Sequence, residues 1–143
     1  QVIDDLVRIV ARVEALDAFL ATDDGANLLA GYKRATNILR AEEKKGPLPT
    51  GMVQLGVAGQ LDEEAALAMA VQAATAAVEP LLEAEDFAGA MAALARLRGP
   101  VDAFFDKVLV NSDAPAEREN RLKLLGQVRD LMGRVADFSQ IAG

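Results

Sequence analysis

Apolar residues recur along this chain at intervals of three and four, a period that predicts helices separated by short polar or glycine- and proline-bearing breaks. Val2, Leu6, Ile9, Val13, Leu16 and Leu20 set a first helix over Val2 to Ala21, with Arg8, Arg12 and Asp5 on its wet side. Thr22, Asp23 and Asp24 supply a turn and a cap. The second helix runs from about Asp24 to Lys45, and Leu28, Tyr32, Ala35 and Leu39 form its inward stripe. Opposite them Lys33, Asn37, Arg40 and Lys44 make an unbroken polar stripe, with Arg34 and Lys45 adding positive charge nearby. From Gly46 to Gln60 the period is lost, and a loop of roughly 15 residues with room for one helical turn is expected.

Further on, Asp62 is read as the cap of an alanine-rich third helix that carries Glu63 and Glu64 in its first turn and ends or kinks at Pro80. Asp86 caps a fourth helix whose Phe87, Met91, Leu94 and Leu97 face inward. Gly99 then closes that helix and Pro100 opens a short fifth one, in which Val101, Phe104, Phe105 and Val108 share one sector. A helix this short persists only when longer helices cover it, so it reads as a strut inside the core. After the turn at Asn111 to Pro115, the last helix presents Leu124, Leu125, Val128, Leu131, Met132, Val135 and Phe138 on one face. The architecture expected is all-α, a bundle of about six helices forming one domain over residues 1–143.

Composition narrows the class. The chain is 52% hydrophobic but 4% aromatic, which fits a helical core of aliphatic side chains. At 143 residues it can bury roughly 68–70% of its unfolded surface. No apolar run reaches the roughly 18 residues needed to span a bilayer, and nothing resembles a signal peptide. There is no cysteine, so no disulfide framework is available, which suits a cytoplasmic location. A net charge of −7 argues against broad nucleic-acid binding, so neither membrane nor DNA is expected as a partner, although a local basic face remains open. The chain begins at Gln1 with no initiator methionine, as expected of a carboxy-terminal piece excised from a longer protein.

Most catalytic chemistry is missing. Without histidine, imidazole catalysis and ordinary histidine metal sites are ruled out for this chain alone, and no metal site is expected. No phosphate-binding Gly-x-x-x-x-Gly-Lys loop is present, and Gly56 to Gly59 lacks the strand that a nucleotide turn needs. Glu42 with Glu43 and Glu63 with Glu64 read as solvated helix ends. Asp102 and Asp106 share a flank of the strut and are expected to pair with Arg121, which lies on the apolar side of the last helix and needs a carboxylate. No catalytic residue is assigned, and an autonomous enzyme would need a cofactor or partner to supply the missing groups.

The stripe on the second helix carries the functional content. A charged stripe is ordinarily a solvated face, but here the rest of the chain is acidic. Lysine and arginine hold phosphates, while Asn37 has the chemistry to read a base edge. Tyr32 offers a stacking surface only if exposed, and its place on the inward stripe predicts a buried ring.

Three blocks also carry a resemblance: Gly31-Tyr-Lys-Arg-Ala-Thr-Asn-Ile-Leu39, Pro100-Val-Asp-Ala-Phe-Phe-Asp-Lys-Val-Leu-Val110, and Asn120-Arg-Leu-Lys-Leu-Leu125 with Val135-Ala-Asp-Phe-Ser139. In that order they resemble the carboxy-terminal region of the β subunit of bacterial two-subunit glycyl-tRNA synthetases. That region is an all-helical, DALR-type anticodon-binding domain of the kind also found in arginyl-tRNA synthetases. The resemblance implies a domain that holds the anticodon end of glycine tRNA and needs no cofactor itself. Aminoacylation, with ATP and magnesium, would belong to the α subunit together with the rest of β. Lys33, Asn37, Arg40 and Lys44 are then the expected RNA face, supported by Arg34 and Lys45, and Lys123, Gln127 and Arg134 form a second candidate face. The alternative is a helical docking module that contacts protein and not RNA, which salt dependence would separate from RNA binding.

Overall fold

The computed structural model describes residues 2–49, 51, 53, 60–108, 110 and 114–135. Its elements are all helical: α1 (Val2–Leu20), α2 (Asp23–Glu43), α3 (Asp62–Glu83), α4 (Phe87–Ala95), α5 (Arg98–Lys107) and α6 (Pro115–Val135). The α1–α2 corner is tight. The Thr22 hydroxyl donates to the Phe19 carbonyl at 2.6 Å and accepts from the Gly25 N–H at 3.0 Å, so one side chain closes one helix and opens the next. Gly25 is required there, because a Cβ would run into the backbone of Phe19. Asp86 opens α4 by accepting from the Gly89 N–H at 2.9 Å.

One apolar cluster joins all six helices. The strut α5 lies between α2 and α3, and α6 also touches both, whereas α5 and α6 share no substantial contact. Phe104 is fully enclosed and meets Phe105 edge-to-face, ring centroids 5.5 Å apart. Leu28, Tyr32, Ala35 and Leu39 of α2 are buried as their spacing predicts, as are Phe87, Met91, Leu94 and Leu97. Phe105 is only half-buried at the edge of the cluster.

Several expectations need correction. Arg121 does not pair with Asp102 or Asp106. Its Nε lies 3.0 Å from Glu64 Oε1 and its Nη2 lies 3.1 Å from Glu117 Oε1, because α6 packs beside α3 and away from the strut. Asp102 and Asp106 instead lie 3.6 Å from Arg98 and Lys107. Neither Glu42 nor Glu64 is a solvated helix end; both are buried, Glu42 against Arg118 and Lys45, Glu64 against Arg121 and the Leu61 N–H. Asp62 is the first helical residue of α3 and not its cap; Leu61 holds that position. The helix continues through Pro80 to Glu83, and α5 begins at Arg98, so Gly99 lies inside its first turn.

The apolar stripe of α1 is turned outward. Leu6, Ile9 and Val13 are exposed together with Ile3, Val7 and Val10. Its charged side, with Asp5, Arg8 and Arg12, is exposed as expected, while Arg8 Nε lies 2.8 Å from Glu85 Oε1 and the Arg12 guanidinium sits 4.9 Å above the Phe87 ring. Only the end of α1, through Leu16, Phe19 and Leu20, enters the core. By length and composition α3 could cross a membrane, contrary to expectation, yet Leu67, Ala68, Val71, Ala74 and Val78 place it in the core of this bundle. Between Gly46 and Gln60, residues 50, 52 and 54–59 lie outside the described residues, as do 111–113 of the last turn and Phe138. Leu48 and Val53 pack against the core from that segment.

Candidate nucleic-acid interface

At about 100° per residue, Lys33, Asn37, Arg40 and Lys44 stand opposite the buried stripe of α2, and all four are exposed. The helix beneath them is fixed at both ends. Arg98 Nη1 lies 2.9 Å from Asp24 Oδ1 at its start, and that hydrogen bond is the main cause of a raised Arg98 pKa. At its finish the buried Glu42 carboxylate is bound by Arg118 and approached by Lys45 Nζ at 3.4 Å. Lys45 therefore has a carboxylate of its own and does not sit with the open cations.

Pairing separates the stripe from the rest of the chain. Among the described residues, Lys33, Arg34, Arg40 and Lys44 form no ion pair. Every other cation, save Arg12 and Arg96, meets at least one carboxylate. Positive charge left unneutralised is thus concentrated on one helix of an acidic protein, where an external anion meets no internal competitor. Asn37 lies within this face, and Tyr32 is buried behind it.

About a quarter turn around α2 from the stripe, a groove of about 660 Å³ opens between α2 and α5. Asn27, Gly31 and Arg34 line it from one helix, Asp102, Phe105 and Asp106 from the other. The Arg34 guanidinium lies 4.6 Å above the Phe105 ring. Gly31 allows the two helices to approach, since a Cβ there would come within 2.8 Å of Val101 Cγ1. Arg34 thus belongs to the groove as well as to the basic face. This arrangement was not readable from the sequence, because it depends on how α2 and α5 cross.

The cations of the second candidate face are both paired. Lys123 is mostly covered and lies 3.3 Å from Glu119, while Arg134 is bound to Glu79. Gln127 lines two separate grooves, one with Lys123 beside Leu48 and Pro49, the other with Arg134 beside α3. Among the described residues, no group of three or more acidic side chains is placed to hold a metal ion.

The chain is thus an all-helical bundle whose α2 carries an open cationic face among the described residues. Residues 28–138 match the family described as DALR anticodon binding domain, and the chain belongs to that family. Among individual proteins it is similar to the glycine–tRNA ligase beta subunit of Phenylobacterium zucineum, 74% identical over 98% of this chain and 21% of that protein. The glycine–tRNA ligase beta subunit of Rhodospirillum centenum is 55% identical over 98% of this chain and 20% of its own length. That of Cereibacter sphaeroides is 49% identical over 98% of this chain and 20% of its own length. The chain thus spans about a fifth of the length of the curated relatives it matches.

Proposed function

We propose that this chain is the tRNA-holding module of a glycine–tRNA ligase beta subunit and grips the anticodon end of glycine tRNA through the exposed face of α2. The observation that carries this reading is the set of unpaired cations Lys33, Arg40 and Lys44 around Asn37, on a chain of net charge −7. Membership of an anticodon-binding family and the names of the relatives support it. In this role the module recognises and positions. Adenylate chemistry with ATP and magnesium belongs to the α subunit and the remainder of β, in the cytoplasm where translation takes place.

The partner proteins have a candidate surface as well. The outward face of α1, with Ile3, Leu6, Val7 and Val10 contiguous and exposed, supports docking against the rest of the beta subunit. Docking and RNA binding then use different helices, so the docking reading adds to the first and does not replace it.

The test is a titration of the full two-subunit enzyme with glycine tRNA. With Lys33→Glu and Arg40→Glu in the beta subunit, affinity should drop strongly and the salt slope should fall by roughly one per lost phosphate contact. Unchanged affinity and slope would remove α2 from the RNA interface. A Leu6→Glu variant should retain tRNA affinity in the isolated beta subunit while making the domain more open to proteolytic release. If release is unaltered, α1 is not a docking face.

A further inference from the structure

We propose that the outward face of α1 is covered by a single amphipathic helix from elsewhere in the same beta subunit. That helix packs along α1 in coiled-coil register and carries lysine or arginine beside its apolar seam. This rests on the reading of α1 as a docking face and names what docks there.

The register comes from the spacing of the exposed side chains. Ile3, Leu6, Val10 and Val13 follow one another at three, four and three residues, the alternation of a heptad seam, and all four are exposed. Val7 and Ile9 stand on either side of the seam and are exposed as well. A shallow groove of about 350 Å³ runs along this face and ends at Glu14. β-Branched Ile3 and Val10 at one seam position, with Leu6 at the other, favour the pairing of two helices over a larger bundle. Asp17 falls at the next seam position and closes the stripe, so the overlap with the partner helix is about three turns.

Size decides between occupants. An interface between separate molecules takes roughly 20–30 residues a side, and this face offers six apolar side chains. A second copy or a freely diffusing protein would therefore be held weakly here. A segment of the same polypeptide arrives at an effective concentration of about millimolar, for which a short seam suffices. About four-fifths of each curated relative lies outside the region matched, which leaves ample chain to provide a helix.

Charge completes the description. Glu14 and Asp17 are exposed at the end of the seam and, among the described residues, meet no cation. The arginines of α1 are engaged elsewhere, Arg8 with Glu85 and Arg12 over the Phe87 ring. The rim is acidic and selects a cationic flank on its occupant. It also repels an anionic lipid surface, since helices that lie on membranes carry lysine and arginine beside their apolar face.

The test places the photo-crosslinking residue p-benzoylphenylalanine at Val7 or at Ile9 of the beta subunit in the full two-subunit enzyme. Both positions edge the seam, so the added bulk does not displace its central side chains. After irradiation, both should crosslink within one beta chain, which keeps the mass of a single subunit on a denaturing gel. Mass spectrometry of the digest should give one peptide with apolar residues at helical spacing and lysine or arginine beside them. Crosslinks into the alpha subunit or a second beta chain overturn the choice of occupant and leave α1 a docking face. No crosslink at either position overturns the docking reading too, so the two failures are told apart.

A second variant tests the charge match without touching the seam's apolar residues. Glu14→Lys with Asp17→Lys should speed proteolytic release of the domain by roughly twofold to tenfold at low salt. Added salt should shrink the difference. Release at the wild-type rate would show that the occupant is not basic, and the proposal would fail.

Discussion

Arg121 and Glu64 meet 57 residues apart in sequence in an ion pair sealed from solvent, with Arg121 Nη2 3.1 Å from Glu64 Oε2 and Nε 3.0 Å from Oε1. The pair locks α6 to the start of α3, and Glu64 also accepts from the Leu61 N–H at 2.8 Å. Arg121→Met strands the buried Glu64 carboxylate and should cost roughly 3–5 kcal/mol, whereas Glu64→Leu leaves Arg121 its second carboxylate, Glu117, and should cost less. The double variant should be more stable than the worse single one, because no fully buried charge is left uncompensated and Glu117, which loses Arg121, keeps access to solvent. Urea denaturation of all four proteins gives the coupling. Strictly additive losses would show that the two side chains stabilise independently.

The two adjacent phenylalanines of α5 should separate in a melt. Phe104 is fully enclosed, and Phe104→Ala should cost about 3–5 kcal/mol through lost burial and the cavity left behind. Phe105 is half-buried at the groove, and its removal should cost on the order of 1–2 kcal/mol. Equal losses would mean that α5 is seated differently between α2 and α3.

Two glycine substitutions should move stability in opposite directions. Gly133 in α6 has open space where a Cβ would go, so Gly133→Ala should stabilise by up to about 1 kcal/mol through helix propensity. Gly25→Ala would drive a methyl group into the Phe19 backbone and should destabilise by about 1–3 kcal/mol or more. Differential scanning calorimetry of both variants checks this. A stabilising Gly25→Ala would require an α1–α2 corner looser than described.

Asn37 should behave unlike its charged neighbours. Asn37→Ala is expected to reduce discrimination between native and anticodon-altered tRNA by a few-fold while leaving the salt slope as it was. Fluorescence titrations at several salt concentrations separate the two quantities. A fallen slope with discrimination intact would assign Asn37 to backbone contact.

Spacing made the buried face of α2 legible, since Leu28, Tyr32, Ala35 and Leu39 needed only the helical period. The same period held information that charge obscured. Glu42 falls three residues after Leu39, and Glu64 falls three before Leu67, so both continue buried stripes and each awaited an arginine from α6. The choice of Asp102 for Arg121 failed because carboxylate need can be read from a helix wheel, whereas which helices are neighbours cannot. For α1, the sequence shows an apolar stripe but not that the remainder of the bundle leaves it uncovered. The groove between Arg34 and Phe105 belongs to the same class: its two walls come from helices far apart in sequence.

The clamping of α2 bears on the RNA encounter proposed for it. Thr22 and Asp24 hold its first turn, Glu42 its last, and the core its inner side. Its backbone therefore has no ordering left to do, and only the rotamers of a few long side chains lose freedom, at about 0.5–1.5 kcal/mol each. In the proposed role such a face would act as a template: the adjustment of shape on meeting a flexible nucleic-acid loop would fall to the loop, and sequences that bend cheaply into the required path would gain affinity before any base is touched.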